Sequence, residues 1–165
     1  MIIKSFELNK INLNYKFFLF YGENQGFKNQ IIKEKFKNKY SNSCHLYDES
    51  EVLGDKDNFF NNILSKSFFE KDKLIIINRA TDKIKDLIEE IIDKKITDLT
   101  IILNSNSLEK KSKIRNLFEK GKETICVPFY EDNNQTLSTM VNAFFKEKKI
   151  PISRELINLI TNRSR

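Results

Sequence analysis

Five short apolar runs recur along this chain, and each is separated from the next by a stretch with helical spacing. That alternation constrains the fold more than any other feature. The runs are Lys16 to Tyr21, Cys44 to Tyr47, Lys73 to Ile77, Leu99 to Leu103 and Thr124 to Phe129. Lys16 to Tyr21 has the pattern of a strand buried on both faces, Lys73 to Ile77 is rich in β-branched residues, and Cys44 to Tyr47 is a short strand candidate. Between them lie amphipathic segments. Gln25 to Lys39 sets Phe27, Ile31, Ile32 and Phe36 against Lys28, Lys33, Lys35 and Lys37. Asp57 to Ser67 places Phe59, Phe60, Ile63 and Leu64 on one helical face. Lys83 to Lys94 carries Ile84, Leu87, Ile88, Ile91 and Ile92, the stripe of a helix packed on one side. Ser107 is a plausible N-cap for a helix holding Leu108, Ile114, Leu117 and Phe118, with Gly121 as its stop. Strands alternating with such helices predict a three-layer α/β domain over residues 1–132, a parallel sheet covered on both faces with right-handed connections.

After Tyr130 the pattern changes. A polar linker, Glu131 to Asn134, leads to a helix over Thr136 to Lys148 with Leu137, Val141, Phe144 and Phe145. Ile150-Pro151-Ile152 interrupts it, and Ser153 is placed to cap a further helix bearing Leu156, Ile157 and Ile160. Helix follows helix without a strand. Residues 133–165 are expected to be the beginning of a small all-helical domain, truncated before it closes a core, and the chain a fragment of a longer protein.

Composition excludes several classes. A chain of 165 residues buries a core without disulfides or metal staples. Cys44 and Cys126 are too few and too far apart for a disulfide scaffold or a zinc site. No stretch approaches the length of a membrane span, and Met1 to Lys4 lacks the features of a signal peptide, so a cytoplasmic protein is expected. The net charge of +6 invites nucleic acid as a partner. Yet 24 lysines stand against 5 arginines, alongside 22 isoleucines and 19 asparagines, a bias that A/T-rich codons explain. The lysines are interleaved with acids, as in Lys33-Glu34-Lys35, and suit a solvated surface.

In such a sheet the first strand-to-helix turn is the natural ligand site. Here it reads Gly22-Glu23-Asn24-Gln25-Gly26-Phe27-Lys28-Asn29. A phosphate-binding loop has four residues between its glycines, then a lysine for the phosphates and a hydroxyl for Mg²⁺. This turn has its glycines one residue too close, Phe27 after the second, Lys28 displaced and Asn29 in place of the hydroxyl. Glu23 would repel phosphate. The third strand ends Ile77-Asn78-Arg79 with no carboxylate for Mg²⁺, and the fourth ends in the polar tip Leu103-Asn104-Ser105. His45 is the single histidine and reads, like Cys44, as a strand residue. No catalytic residues, metal site or cofactor is therefore expected, and Gly22, Gly26 and Lys28 read as a vestigial phosphate loop. A divergent P-loop kinase or ATPase is the enzymatic alternative.

The most informative apolar feature is Leu64-Ser65-Lys66-Ser67-Phe68-Phe69. Phe59, Phe60, Ile63 and Leu64 already supply that helix with a buried face. Phe68 and Phe69 are adjacent at its end, so they point in different directions. Two readings stay open: two core phenylalanines, or an aromatic wedge that fills a partner's pocket.

In their order and spacing these pieces resemble a family. The aromatic strand leads into Tyr21-Gly22-x-x-x-Gly26, and Ser67-Phe68-Phe69 precedes the third strand. The fourth strand is followed by Ser107-Leu108-x-x-x-Ser112-Lys113-Ile114-Arg115-x-Leu117-Phe118-Glu119, then Val127-Pro128-Phe129-Tyr130 and Ile150-Pro151-Ile152-Ser153. The order is similar to that of the delta subunits of the bacterial DNA polymerase III clamp loader, over nearly the whole chain. The resemblance implies a fold of the AAA+ type, the P-loop NTPase class, with a degenerate nucleotide site and the start of a helical lid. It implies a subunit that binds and opens the ring-shaped sliding clamp during replication. ATP would be hydrolysed by neighbouring ATPase subunits, a delta-prime-type subunit would be a further partner, and primed DNA would be met through the assembly. The protein would belong to the DNA-directed DNA polymerase (nucleotidyltransferase) holoenzyme without an active site of its own, and no membrane partner is implied. Carried onto this sequence, the clamp-binding element is Ser67, Phe68 and Phe69, with Leu64 as support. Phe68 departs from the leucine more usual there.

Overall fold

The computed structural model describes residues 1–3, 8, 15–40, 43–64 and 72–164, of which Leu64 is described in its backbone alone. The chain divides into two compact units, Met1–Phe129 and Tyr130–Arg165.

The first unit is built on five strands: β1 (Phe17–Tyr21), β2 (Cys44–Asp48), β3 (Lys73–Asn78), β4 (Leu99–Asn104) and β5 (Thr124–Pro128). They form one sheet in the order β2-β3-β4-β1-β5, every pairing parallel. All of β1 and β5 is buried, and all of β3 and β4 but their last residues. The unbroken apolar runs have this cause: alternate residues of one strand enter opposite cores. Phe17, Leu19 and Tyr21 face one core, and Phe18 and Phe20 the other.

The two faces are covered unequally. The first core is roofed by α2 (Glu49–Gly54), α3 (Lys56–Leu64), α4 (Lys85–Asp93) and α5 (Lys113–Lys120). The second is roofed by α1 (Gln25–Ile31) and its π-helical continuation Ile32–Lys37, which bury Ile31, Ile32 and Phe36. The topology dictates this. The first crossover passes over β4 and β3 to reach β2, and the later ones return in the opposite direction, so with right-handed connections they fall on the other face. Beyond β5, Met1–Ile3 extends the sheet: Ile3 N–H donates to the Cys126 carbonyl at 3.0 Å, and Cys126 N–H to that of Met1 at 2.9 Å.

Three local features differ from the sequence expectations. Helix α2 was not expected; it buries Glu49 and Val52, too little for a periodic stripe, and its signal is the capping box of Asp48 and Glu51. The cap of α5 is Ser112 rather than Ser107. Ser112 Oγ accepts from Arg115 N–H, while its hydroxyl and the Ile114 amide donate to Asp82 at 2.6 and 3.0 Å. Burial works against the charge on Asp82, but these donors outweigh it and hold its carboxyl below the ordinary carboxylate range. Ser107 donates instead to Glu23. Lys28, expected on the solvated face of its helix, is wholly buried.

The second unit pairs α6 (Asn134–Glu147) with α7 (Arg154–Arg163). Asn133 and Thr136 cap α6 reciprocally, and Ser153 caps α7 by accepting from Leu156 N–H at 3.3 Å. Ile157 and Thr161 are buried, whereas Met140, Phe144, Leu156 and Leu159 stay exposed.

Candidate functional site

Strand β1 lies between β4 and β5, so its carboxyl end delivers the chain to the point where the strand order reverses. In open α/β sheets that crevice is where ligands bind. The turn Gly22–Lys28 occupies it, and its geometry decides what can enter.

Gly22 has φ +122°, and a Cβ there would lie 2.1 Å from the Phe129 carbonyl oxygen. No L-residue with a side chain fits that approach. Gly26 is different: a Cβ there meets nothing nearer than Asn24 Oδ1 at 3.9 Å. Only the first glycine is required by the backbone.

Several of the turn amides that could cradle a phosphate are engaged within the protein. Gly22 N–H donates to the Asn106 carbonyl at 3.2 Å, and Asn24 N–H to that of Phe129 at 3.2 Å. Phe27 N–H donates to Asn24 Oδ1 at 3.0 Å, and Lys28 N–H to the Asn24 carbonyl at 3.1 Å. The Gln25 amide group bonds Asn106 Oδ1 at 2.9 Å, tying the turn to the tip of β4. Phe27 packs edge-on against Phe129, with ring centroids 5.5 Å apart.

Lys28 reaches under the turn. Its Nζ donates to the Ser105 carbonyl at 2.5 Å, at the end of β4. Burial lowers its pKa from 10.5 to about 8, with the Glu23 carboxylate opposing the shift. Ser105 is itself a node: its amide donates to the Phe20 carbonyl at 2.8 Å, and its hydroxyl to that of Ala80 at 2.7 Å. One buried lysine thus joins α1 to a polar seam across the tips of β1, β3 and β4. Asn104 Nδ2 continues that seam to Asn78 Oδ1 at 3.0 Å.

The carboxylates along this edge are occupied as well. Asp48, which ends β2, pairs with Arg79. Glu49 is buried and accepts the Thr81 amide at 2.6 Å and the Thr81 hydroxyl at 2.8 and 3.0 Å. Other acids form ion pairs along the helices, as in Lys85–Glu89, Glu90–Lys94 and Arg115–Glu119, whereas Glu49, like Asp82, is bonded to uncharged donors. Among the described residues no group of three or more His, Cys, Asp or Glu side chains is arranged to hold a metal ion, and no helix is long and apolar enough to cross a membrane.

Ser67, Phe68 and Phe69 lie outside the described residues. Leu64 is the last residue of α3, and its side chain is likewise outside the description. What is described is the frame: α3 ends at Leu64, β3 begins at Lys73, and Lys73 Nζ donates back to the Asn62 carbonyl at 3.0 Å. Phe59 and Ile63 fill the core face of α3, with Phe60 partly buried beside them.

No family model and no curated protein matches this sequence. Among solved structures, the chain is similar to the Bacillus subtilis DNA clamp loader delta protein (YqeN), with a TM-score of 0.61 and 13% identity over 93% of this chain and 49% of that one. It also aligns with domain III of the Thermotoga maritima replication initiation protein DnaA, with a TM-score of 0.45 and 13% identity over 95% of this chain and 72% of that one. The chain spans about half the length of the clamp loader protein. What the first likeness establishes is the fold: an α/β domain with a five-stranded, all-parallel sheet, of the kind found in a clamp loader delta protein.

Proposed function

We propose that this chain acts in DNA replication as a clamp-loader subunit of the delta type, one that binds the sliding clamp and opens it without hydrolysing ATP itself. The observation that carries the proposal is the closed turn at the switch point. On a fold shared with a clamp loader delta protein, amides of the turn and the Lys28 ammonium, which a nucleotide's phosphates would need, bond instead to the chain's own carbonyls. A domain that keeps this architecture but engages its phosphate loop internally is suited to transmitting a conformational change. Hydrolysis is left to ATPase-type partners in the same loader, a delta-prime-type subunit among them, and primed DNA is met through the assembly. Residues 133–165 are then the beginning of its lid.

The clamp-binding element is Ser67-Phe68-Phe69, following the helix that ends at Leu64. Two adjacent aromatic side chains offer the large, rigid apolar surface that dominates interface energy. Binding shifts the ring toward its open form by the difference in affinity between open and closed states. The test is the affinity of the cognate sliding clamp for a Phe68→Ala, Phe69→Ala double variant that remains folded. Loss of the anchors should weaken binding by at least about 2 kcal/mol. Unchanged affinity would sink the assignment.

A further inference from the structure

The amino-terminal edge of the sheet, opposite the switch point, carries a cavity of about 580 Å³. Strands β4, β1 and β5 are neighbours, so the segments ahead of them converge there. Tyr15 and Ile96, both partly exposed, supply apolar surface over the buried Phe17, and Lys16, Lys95 and Lys122 supply positive charge. Lys16 pairs with Asp72 at 3.8 Å. Lys95 and Lys122 are exposed and form no ion pair among the described residues. Glu123 is the one acid in the lining among the described residues.

This is a mixed chemistry. A single nucleic-acid strand would need exposed aromatic faces beside the cations on which to stack its bases, and here Phe17 is buried and Tyr15 partly so. An acidic residue next to an aliphatic or aromatic one satisfies both parts: the apolar side chain covers Tyr15 and Ile96, and the carboxylate meets Lys95 and Lys122. The volume suits a few side chains of a peptide segment.

We propose that this cavity is a second docking point for the ring-shaped partner, taking an acidic-apolar segment of it. The inference rests on the clamp-binding reading, and the location supports the link. Strand β3 begins at Lys73, shortly after Phe68 and Phe69 in sequence, and starts at this same edge, and Asp72, just ahead of it, is the residue that pairs with Lys16. An anchor of two phenylalanines fixes one point of a rigid ring. A second point fixes its orientation, and paired charges raise the rate of encounter.

The experiment measures binding of the cognate sliding clamp to the full chain and to its Lys95→Glu, Lys122→Glu variant across a salt series. Both lysines are exposed, so the fold should persist, as thermal unfolding would verify. A Lys33→Glu, Lys110→Glu variant has the same net charge with the changes away from the cavity. The cavity variant should bind at least about tenfold more weakly at low salt, mostly through slower association, and lose part of the salt dependence. The control variant should bind within about twofold of the parent. Equal weakening of both variants would reduce the effect to net charge and overturn the proposal, as would unchanged affinity of the cavity variant. Binding of primed DNA that disappears in the cavity variant while clamp affinity stays constant would assign the cavity to nucleic acid and also overturn it. A parent chain that fails to bind the clamp at all would instead remove the clamp-binding reading, and the docking point with it.

Discussion

The two edges of the sheet have been treated in opposite ways. At the carboxyl edge several polar groups are engaged by the protein itself: Lys28 by the Ser105 carbonyl, Asp48 by Arg79, Glu49 by Thr81, and the Gly22, Asn24, Phe27 and Lys28 amides by Asn24, Asn106 and Phe129. At the amino edge Lys95 and Lys122 stand exposed beside apolar surface. Desolvated polar groups must be paired, so a ligand site that loses its ligand either fills with water or closes on itself. On the proposed reading the turn is such a closed site: the carboxyl edge serves as a fixed joint, and recognition falls to surface elsewhere on the domain.

If the carboxyl edge is a joint, its two glycines should be unequal, and this is the largest effect expected. Gly22→Ala drives a Cβ to within 2.1 Å of the Phe129 carbonyl oxygen at a φ of +122°. Strain and clash together should cost about 3 kcal/mol or more in urea unfolding. Gly26→Ala, within α1 and with open space around it, should be neutral or stabilise by about 0.5–1 kcal/mol. Two equally damaging substitutions would mean that the turn is held by something other than the approach of Phe129.

The buried lysine gives a smaller and pH-dependent signal. Its folded pKa of about 8 lies below the ordinary 10.5. Between those values the unfolded chain holds a proton that the native protein lacks, so Lys28 makes stability rise with pH in that window. The slope is at most about 1.4 kcal/mol per pH unit. Cys126 acts in the opposite sense. Burial, aided by Glu119, pushes its thiol from 9.0 up to about 12, so the native protein keeps a proton that the unfolded chain releases, and stability falls above pH 9. The rise should therefore be confined to about pH 8–9. Lys28→Met should flatten it, measured as the difference between parent and variant urea midpoints across pH. A parent profile that is already flat there would place the ammonium in a better-solvated site than the Ser105 bond implies.

What the sequence disclosed follows the same division. Strands β1, β3, β4 and β5 were legible because strands buried on both faces must be apolar throughout, whereas β2, at the sheet edge and partly exposed, was legible only as a short run. The turn was legible as a departure from a phosphate loop, since spacing and residue type are written in the chain. That Lys28 is buried was not: a lysine one position past a phenylalanine in an amphipathic helix looks solvated, and only the fold brings the Ser105 carbonyl within reach across 77 residues. The cap of α5 was misplaced for a similar reason. Ser107 and Ser112 are equal candidates locally, and the choice is made by Asp82, a residue from another part of the chain. Helix α2 escaped because a capping box with little apolar surface behind it carries no period. The amino-edge cavity was invisible, because its lining comes from three segments that nothing in the sequence relates. Phe68 and Phe69 stand out by their place after the apolar face of α3 and by the family resemblance, and lie outside the described residues.

The smallest expected effect is a null one, and it tests the closed joint most directly. A working phosphate loop with a dissociation constant one-hundredth of the ATP present would gain about 2.7 kcal/mol, which moves the melting temperature of a domain this size by several degrees. Here Mg²⁺-ATP at millimolar concentration should leave it unchanged. To bind phosphates, the turn would have to release the Gly22, Asn24, Phe27 and Lys28 amides from their present acceptors. It would also have to draw Lys28 away from Ser105, exposing a carbonyl now buried in the seam. Each unmade bond costs about 1–3 kcal/mol while its partner stays buried. Phosphate contacts would have to exceed that sum before any affinity appeared, and Glu23 beside the turn opposes them. A clear upward shift with ATP, abolished by Lys28→Met, would reopen the joint and restore the carboxyl edge as the ligand-binding end of the sheet.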